Sequence, residues 1–301
     1  MTAGLREETR LDEWRKALEW LPLAVLTIVA IGVAAAMSPW ASMWTLAVAI
    51  FAGFKWWSWW RAVSNGVATT MARSLSYLFL WPGMDAREFL DVRKIAGRPS
   101  ATAWTWAIGK TAFGAVLIWG CVRFAPAGLI AGWTGMVGLM FLLHFGFFDA
   151  LALFWQRQGI RAQPLMRCPA LADSLGDFWG RRWNSAFCHL SFDLMFRPLS
   201  RRAGMAGGVF LTFLLSGLIH DLVISFPVGG GYGLPTSYFA IQGAGVLAER
   251  SKLGMRLGRG HPVVRRLLAM VIVIAPLGLL FPPLFVGRVI LPFLKAIGAV
   301  Q

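Results

Sequence analysis

The feature that most constrains this chain is a succession of apolar stretches, each about as long as a bilayer is thick. A helix needs roughly 20 apolar residues to cross the hydrocarbon core. Leu21 to Trp40 is uncharged. Ser42 to Trp60 holds only Lys55, and its end, Lys55-Trp-Trp-Ser-Trp-Trp60, reads as the aromatic-plus-lysine dressing of a membrane interface. Val67 to Trp81 carries Arg73 and is weaker, either partly buried or interfacial. Ala101 to Val122 is interrupted only by Lys110, and Pro126 to Trp155 carries His144 and Asp149. Gly204 to Phe226 carries His220 and Asp221, Leu234 to Leu247 is short, and Leu267 to Leu284 ends around Pro282-Pro283. Val289 to Val300 is too short to cross. The pattern predicts an all-α, multi-pass integral membrane protein, with about seven to nine helices that cross or partly cross. Residues 1–301 are expected to form a single membrane domain, with 1–20 as a cytoplasmic or interfacial leader.

Composition agrees. Hydrophobic residues make up 57% and charged residues 14%, against about one-quarter charged in ordinary soluble domains. Disorder, a collagen-like chain and a disulfide scaffold are excluded on the same grounds. Cys121, Cys168 and Cys188 are scattered, with no metal-ligand spacing. The net charge is +15, yet most of the basic residues flank apolar stretches, where they set topology and face anionic headgroups. No nucleic-acid-binding module is recognisable, so nucleic acid is not an expected partner. Basic joins (61–98, 156–202, 250–266) alternate with joins that carry one charge in total. The positive-inside rule then places the N-terminus in the cytoplasm. Ala34-Ala35-Ala36 after an apolar run would also suit a secretory signal, but a long leader with acids mixed into it argues against one.

Ionisable residues inside apolar stretches are functional candidates. His220 lies deep in Leu214-Leu-Ser-Gly-Leu-Ile-His-Asp-Leu-Val-Ile224, with Ser216 four residues earlier on the same helix face. An imidazole is the side chain most readily used as a general base near neutral pH; the plainer role is a hydrogen bond to a neighbouring helix. The second segment is Ser174-Leu-Gly-Asp-Phe-Trp-Gly-Arg-Arg-Trp-Asn184, whose charges and rings suit an interfacial helix. On a helix, Asp177, Arg181 and Asn184 share one face, and Asp177 and Arg181 have ion-pair spacing. Asn184 would then offer an amide donor to a developing oxyanion; the plainer role is headgroup anchoring.

Asp177-Phe-Trp-Gly-Arg-Arg-Trp-Asn184 closely resembles the signature of the wax synthase branch of the membrane-bound O-acyltransferases. Leu78-Phe-Leu-Trp-Pro-Gly-Met-Asp85 is similar to that family's early turn, and His144-Phe-Gly-Phe-Phe148 with Trp155 to its middle helix. Leu215-Ser-Gly-Leu-Ile-His220 resembles the segment that holds its catalytic histidine. Phe239-Ala-Ile-Gln-Gly243 with Glu249, and Phe281-Pro-Pro-Leu284, match its C-terminal elements, so the likeness runs over about residues 75–285. The resemblance implies a helical fold around a central reaction chamber, and transfer of a fatty acyl group from acyl-CoA to a hydroxyl. The most direct acceptor is a long-chain alcohol, giving a wax ester; a sterol, a diacylglycerol or a secondary-metabolite hydroxyl is chemically equivalent. It also implies that His220 is the catalytic histidine and Asn184 its polar partner. Two departures stand out: Asp221 where many relatives have Glu, and Gln242 where some have His. Both bear on acceptor choice.

The residues support a direct mechanism: His220 takes the acceptor's proton, Asn184 steadies the oxyanion, and CoA leaves without a covalent intermediate. Acyl-CoA is a co-substrate; no cofactor and no metal are expected. Arg181 and Arg182 would attract the phosphates of CoA. Trp179 and Trp183 would be interfacial or would line the chamber against an acyl chain. A serine route through Ser216 has poor geometry, because nucleophile and base sit on one helix. Asp173 and Asp177 have a D-x-x-x-D spacing able to share Mg2+ and a diphosphate, but no second acidic pair completes such a site. A transporter or channel, with His144, Asp149, His220 and Asp221 along its path, is the non-enzymatic alternative. His144 reads foremost as an interhelical contact, and His189 and His261 as solvated.

Overall fold

The computed structural model describes residues 2–126, 128–258 and 262–300, with backbone alone for residues 2–16, 253, 257 and 258. Helices dominate, and there is no strand among the described residues. The first pair is α1 (Thr2–Ala34) and α2 (Pro39–Ser64); α2 opens on Pro39, where a missing N–H leaves nothing unsatisfied. Next come α3 (Met71–Leu80) and α4 (Ala86–Leu90), capped by the side chains of Thr70 and Asp85. The Ser100-capped α5 (Ala101–Ala115) continues through a π-helical turn to Phe124. A second rod joins α6 (Leu129–Leu139) to α7 (Phe148–Arg157) through the π-helical stretch Met140–Phe147.

The single turn α8 (Leu175–Asp177) passes into the π-helical Phe178–Arg182. From there α9 (Ser185–Ser191), α10 (Arg197–His220) and α11 (Phe226–Val228) form one long segment, with π-helical turns at Phe192–Phe196 and Asp221–Ser225. Gly204, at φ 71°, breaks α10 near its start; that backbone region favours glycine, which has no Cβ to clash. The chain closes with α12 (Leu234–Arg250), α13 (Lys252–Gly258), α14 (Pro262–Ile274), α15 (Leu277–Leu280), α16 (Pro283–Phe285) and α17 (Leu291–Ala296).

Among the described residues, five segments are long and apolar enough to cross a membrane: Ala17–Ala34, Ala101–Phe124, Leu129–Arg157, Ser185–Val228 and Pro262–Leu280. The protein is therefore all-α and multi-pass, as its sequence predicts. The stretch at 67–81 yields only the ten residues of α3, about 15 Å of helix, half of what a crossing needs.

One expectation is corrected. Lys55, predicted at the interface with its tryptophans, is 1% exposed. Its ammonium donates to the Gly83 carbonyl and lies 3.3 Å from the centre of the Tyr77 ring. The segment 71–84 folds over α2 and supplies the partners that headgroups and water would have supplied.

Three apolar cores position the site. One packs α2 to α4 against Trp155, Leu165, Ala186 and Leu190. A second joins Ile118, Ile224, Tyr238, Phe239 and the C-terminal helices. The third gathers Leu175, Phe178, Val209, Val246, Ala269 and Val273.

Candidate active site

His220 is the last residue of α10, at the point where the helix widens into a π-helical turn; such turns recur at functional positions. Its Nδ1 lies 2.7 Å from the carbonyl oxygen of Ser216. A carbonyl can only accept, so Nδ1 carries the proton and Nε2 keeps its lone pair. Nε2 has no hydrogen-bond partner among the described residues. The imidazole rests on Phe239, ring centres 4.4 Å apart. Ser216 thus engages the histidine through its backbone, with no side-chain bond between them, which does not help a serine route. Gly217 lets α12 close on this turn: a Cβ there would lie 2.7 Å from the Cα of Thr236.

The turn that ends in Asn184 is built differently. Ser174 caps it, its hydroxyl accepting from the Asp177 amide at 2.9 Å. Asp177 then receives Arg182 Nε at 2.5 Å and Arg181 Nε at 3.7 Å. The helix stops at Trp183, and Asn184 adopts a left-handed conformation, φ 45° and ψ 67°. The expectation that Asp177, Arg181 and Asn184 share one helical face is therefore corrected. A π-helical turn shifts the register, and the break at Trp183 takes Asn184 off the face. Asparagine tolerates this region better than most residues. The Asn184 amide N–H points to Met166 Sδ at 3.2 Å, and its side chain has no hydrogen-bond partner among the described residues. Residues before it pack into the third core and residues after it, Ala186 and Leu190, into the first. Backbone bonds from Arg167 to Arg182 and from Ser185 to Leu165, both 2.8 Å, hold the exit of the turn.

Helix α12 reaches both regions. Asp221, next to His220, accepts from the amides of Gly233 (2.9 Å) and Thr236 (3.1 Å), from the Thr236 hydroxyl, and from Ser225 Oγ at 2.8 Å. It caps α12. Gln242 is fully buried and accepts from the Trp179 indole at 3.2 Å. Glu249 accepts from the amides of Leu175 (2.8 Å) and Gly176 (3.2 Å). The two departures noted in the sequence, Asp221 and Gln242, have their polar atoms committed to the scaffold.

The remaining predicted residues fall apart. Trp183 stacks on Phe178, and Trp179 lies against Phe213 and Phe239. Arg182 is 27% exposed and tied to Asp177, whereas Arg181 is 80% exposed. Burial pushes the Asp177 carboxyl up, but the Arg182 hydrogen bond, the Asp173 amide and both guanidiniums outweigh it, and the group stays below the usual carboxylate range. Asp173 is likewise held low, chiefly by its bond to Arg266 at 2.7 Å. Each carboxylate of the D-x-x-x-D pair faces arginine rather than an open cation site, and no metal-binding cluster occurs among the described residues.

His189 is exposed; His261 lies outside the described residues. Asp149 pairs with Lys110 at 2.5 Å, a contact between α5 and α7 that spacing alone gave no sign of. His144 Nδ1 and Asp149 Oδ1 are buried without a partner among the described residues. A small cleft beside the Asn184 turn is lined by Trp81, Met84, Asp85, Arg161, Ser185 and His189. Its 10 Å³ is room for about one water.

The described geometry coincides with a family match. Residues 162–239 match the membrane bound O-acyl transferase family, a span that contains both Asn184 and His220. "Probable long-chain-alcohol O-fatty-acyltransferase 3" of Arabidopsis thaliana is 32% identical over 156 residues, 46% of this chain and 44% of that protein. "Probable long-chain-alcohol O-fatty-acyltransferase 9" from the same plant is 33% identical over 141 residues, 42% and 41% of the two chains. "Acyl-CoA--sterol O-acyltransferase 1", also from Arabidopsis thaliana, is 31% identical over 74 residues, 22% and 21%. The matched regions span less than half the length of these relatives.

Proposed function

We propose that this chain, whose residues 162–239 match the membrane bound O-acyl transferase family, transfers a fatty acyl group from acyl-CoA to a lipophilic alcohol. The observation that carries the reading is His220: an imidazole with Nδ1 fixed on a backbone carbonyl and Nε2 free to accept a proton. The acceptor hydroxyl gives its proton to Nε2 as its oxygen adds to the thioester carbon. Negative charge collects on the former carbonyl oxygen, where the unpartnered amide of Asn184 donates. The C–S bond then breaks, the CoA sulfur recovers the proton from Nε2, and an ester and CoA leave. Neither a metal nor a covalent acyl-enzyme is needed for this balance.

Arg181, exposed and only loosely paired, is the better of the two arginines for the CoA phosphates, because Arg182 is engaged by Asp177. Trp179, packed beside Phe213 and Phe239, and Trp183, stacked on Phe178, would border the acyl path. The basic joins orient the N-terminus to the cytoplasm, where CoA is supplied. A long-chain alcohol is the favoured acceptor because two of the compared relatives carry that name. A sterol is the second, since another is named for it.

The test is release of free CoA thiol by the purified protein in lipid nanodiscs. Palmitoyl-CoA serves as donor, and hexadecanol, a sterol and a diacylglycerol are compared as acceptors, with and without EDTA. Acceptor-dependent release that EDTA leaves unchanged and that His220→Ala lacks supports the proposal. Loss of activity with EDTA revives the carboxylate–metal reading, and acceptor-independent solute flux would favour a transporter.

A further inference from the structure

No hydrogen bond joins His220 to Asn184 among the described residues, and the two stand on separate elements. Their relation is nevertheless bonded, through α12. At one end of that helix Asp221, the residue after His220, accepts from Gly233 and Thr236. Midway, Gln242 accepts from the Trp179 indole N–H, while its own amide donates to the Ile272 carbonyl at 2.8 Å. Ile272 belongs to the last turn of α14, whose carbonyls have no partner within their own helix. Both ends of the Gln242 amide are thus committed: turning it over would set acceptor against acceptor and donor against donor. At the far end both carboxylate oxygens of Glu249 hold amides in the first turn of α8.

We propose that Gln242 and Glu249 are positioning residues, which fix the Asn184 turn at a set offset from His220 with α12 as the common beam. The inference rests on the acyl-transfer reading. The backbone bonds to Leu165 and Arg167 cannot do this, because they tie the turn to a loop and not to the helix that bears His220. The ring contacts of Trp179 with Phe213 and Phe239 fill space but carry little direction. The two Gln242 and Glu249 attachments, one midway along α8 to Arg182 and one at its start, supply the direction. A displacement of about 1 Å at a reacting centre can lower the rate on the order of a hundredfold, so such bonds act on catalysis without touching substrate.

The same protein in nanodiscs tests this, with palmitoyl-CoA and hexadecanol. Gln242→Met and Glu249→Leu remove one attachment each. Glu249→Gln keeps one acceptor oxygen and serves as the conservative rescue. Tyr238→Phe is the control: its hydroxyl ties α12 to Val273 of α14 at 3.1 Å but bonds nothing in the turn. The expected result is a fall in kcat of about tenfold or more for the first two variants, with KM for palmitoyl-CoA within about twofold. Glu249→Gln recovers part of the loss, and Tyr238→Phe keeps kcat per folded molecule.

A second readout does not depend on turnover. Cys188 Sγ donates to the Gly180 carbonyl at 2.9 Å, so its maleimide labelling reports on the turn in a Cys121→Ser/Cys168→Ser background. Gln242→Met and Glu249→Leu should label severalfold faster than the parent and than Tyr238→Phe. Equal labelling rates, or a kcat loss shared by Tyr238→Phe in proportion to lost stability, would overturn the proposal. A parent that releases no CoA with any acceptor would overturn the acyl-transfer reading instead, and the labelling would still decide the positioning.

Discussion

His220 and the Asn184 turn are fixed by opposite means. The histidine is oriented by its own helix: its ring bonds a carbonyl four residues back, an interaction that any α-helix can make at that spacing. The asparagine is placed from outside. Its turn is held by Leu165, Met166 and Arg167 on one side and by Gln242 and Glu249, more than sixty residues away, on the other. A local device survives motion of the surrounding helices, whereas a composite one registers every change in them. The base should therefore be robust in geometry and decisive in chemistry, and the oxyanion donor more sensitive to remote substitution.

The comparison can be broken most directly at the base. His220→Ala should lower kcat about a thousandfold, measured as CoA release, with the folded state retained by thermal unfolding. A loss below about tenfold would remove His220 from the proton transfer. Asn184→Ala should cost on the order of a hundredfold in kcat. Asn184→Gly should be as slow but more stable than the alanine variant, because glycine accepts the left-handed backbone. If the glycine variant regains activity, the backbone and not the amide is what matters there.

Smaller effects sharpen the contrast. Gly217→Ala drives a methyl against the backbone of Thr236 and should destabilise the protein by about 1–3 kcal/mol, read as a lower midpoint of thermal unfolding. Acidification should loosen the composite region. The Asp177 carboxyl lies below its ordinary 3.8, so the stability from its ion pairs is present above that value and is lost as pH falls through the lower folded one. Arg182→Gln should abolish that part of the acid dependence in an unfolding series. Ser216→Ala should have the smallest effect, leaving turnover within about twofold, because the bond to His220 uses the carbonyl that alanine retains. A large loss would restore the serine route.

The division also explains what the sequence could reveal. Apolar runs and the pairing of Ser216 with His220 are local patterns, and they were legible. The share of the site that depends on register was not. A π-helical turn at Phe178–Arg182 and a left-handed Asn184 take the asparagine off the face that a regular helix predicts. Gln242 and Glu249 were visible only as members of a family pattern; that both point into the turn follows from the crossing of α12 with α8 and α10. Lys55 misled for a related reason. Its neighbours in sequence are tryptophans in an interfacial pattern, but its neighbours in space are Gly83 and Tyr77.

The buried Lys55 also has a consequence for how the protein is made. Until Tyr77 and Gly83 have been synthesised, its amine lacks both of the partners it has in the folded chain. An amine left without partners in apolar surroundings is costly, so the packed position of α2 is completed only when the segment 71–84 lies over it. The order of the chain thereby sets an order of assembly around one lysine.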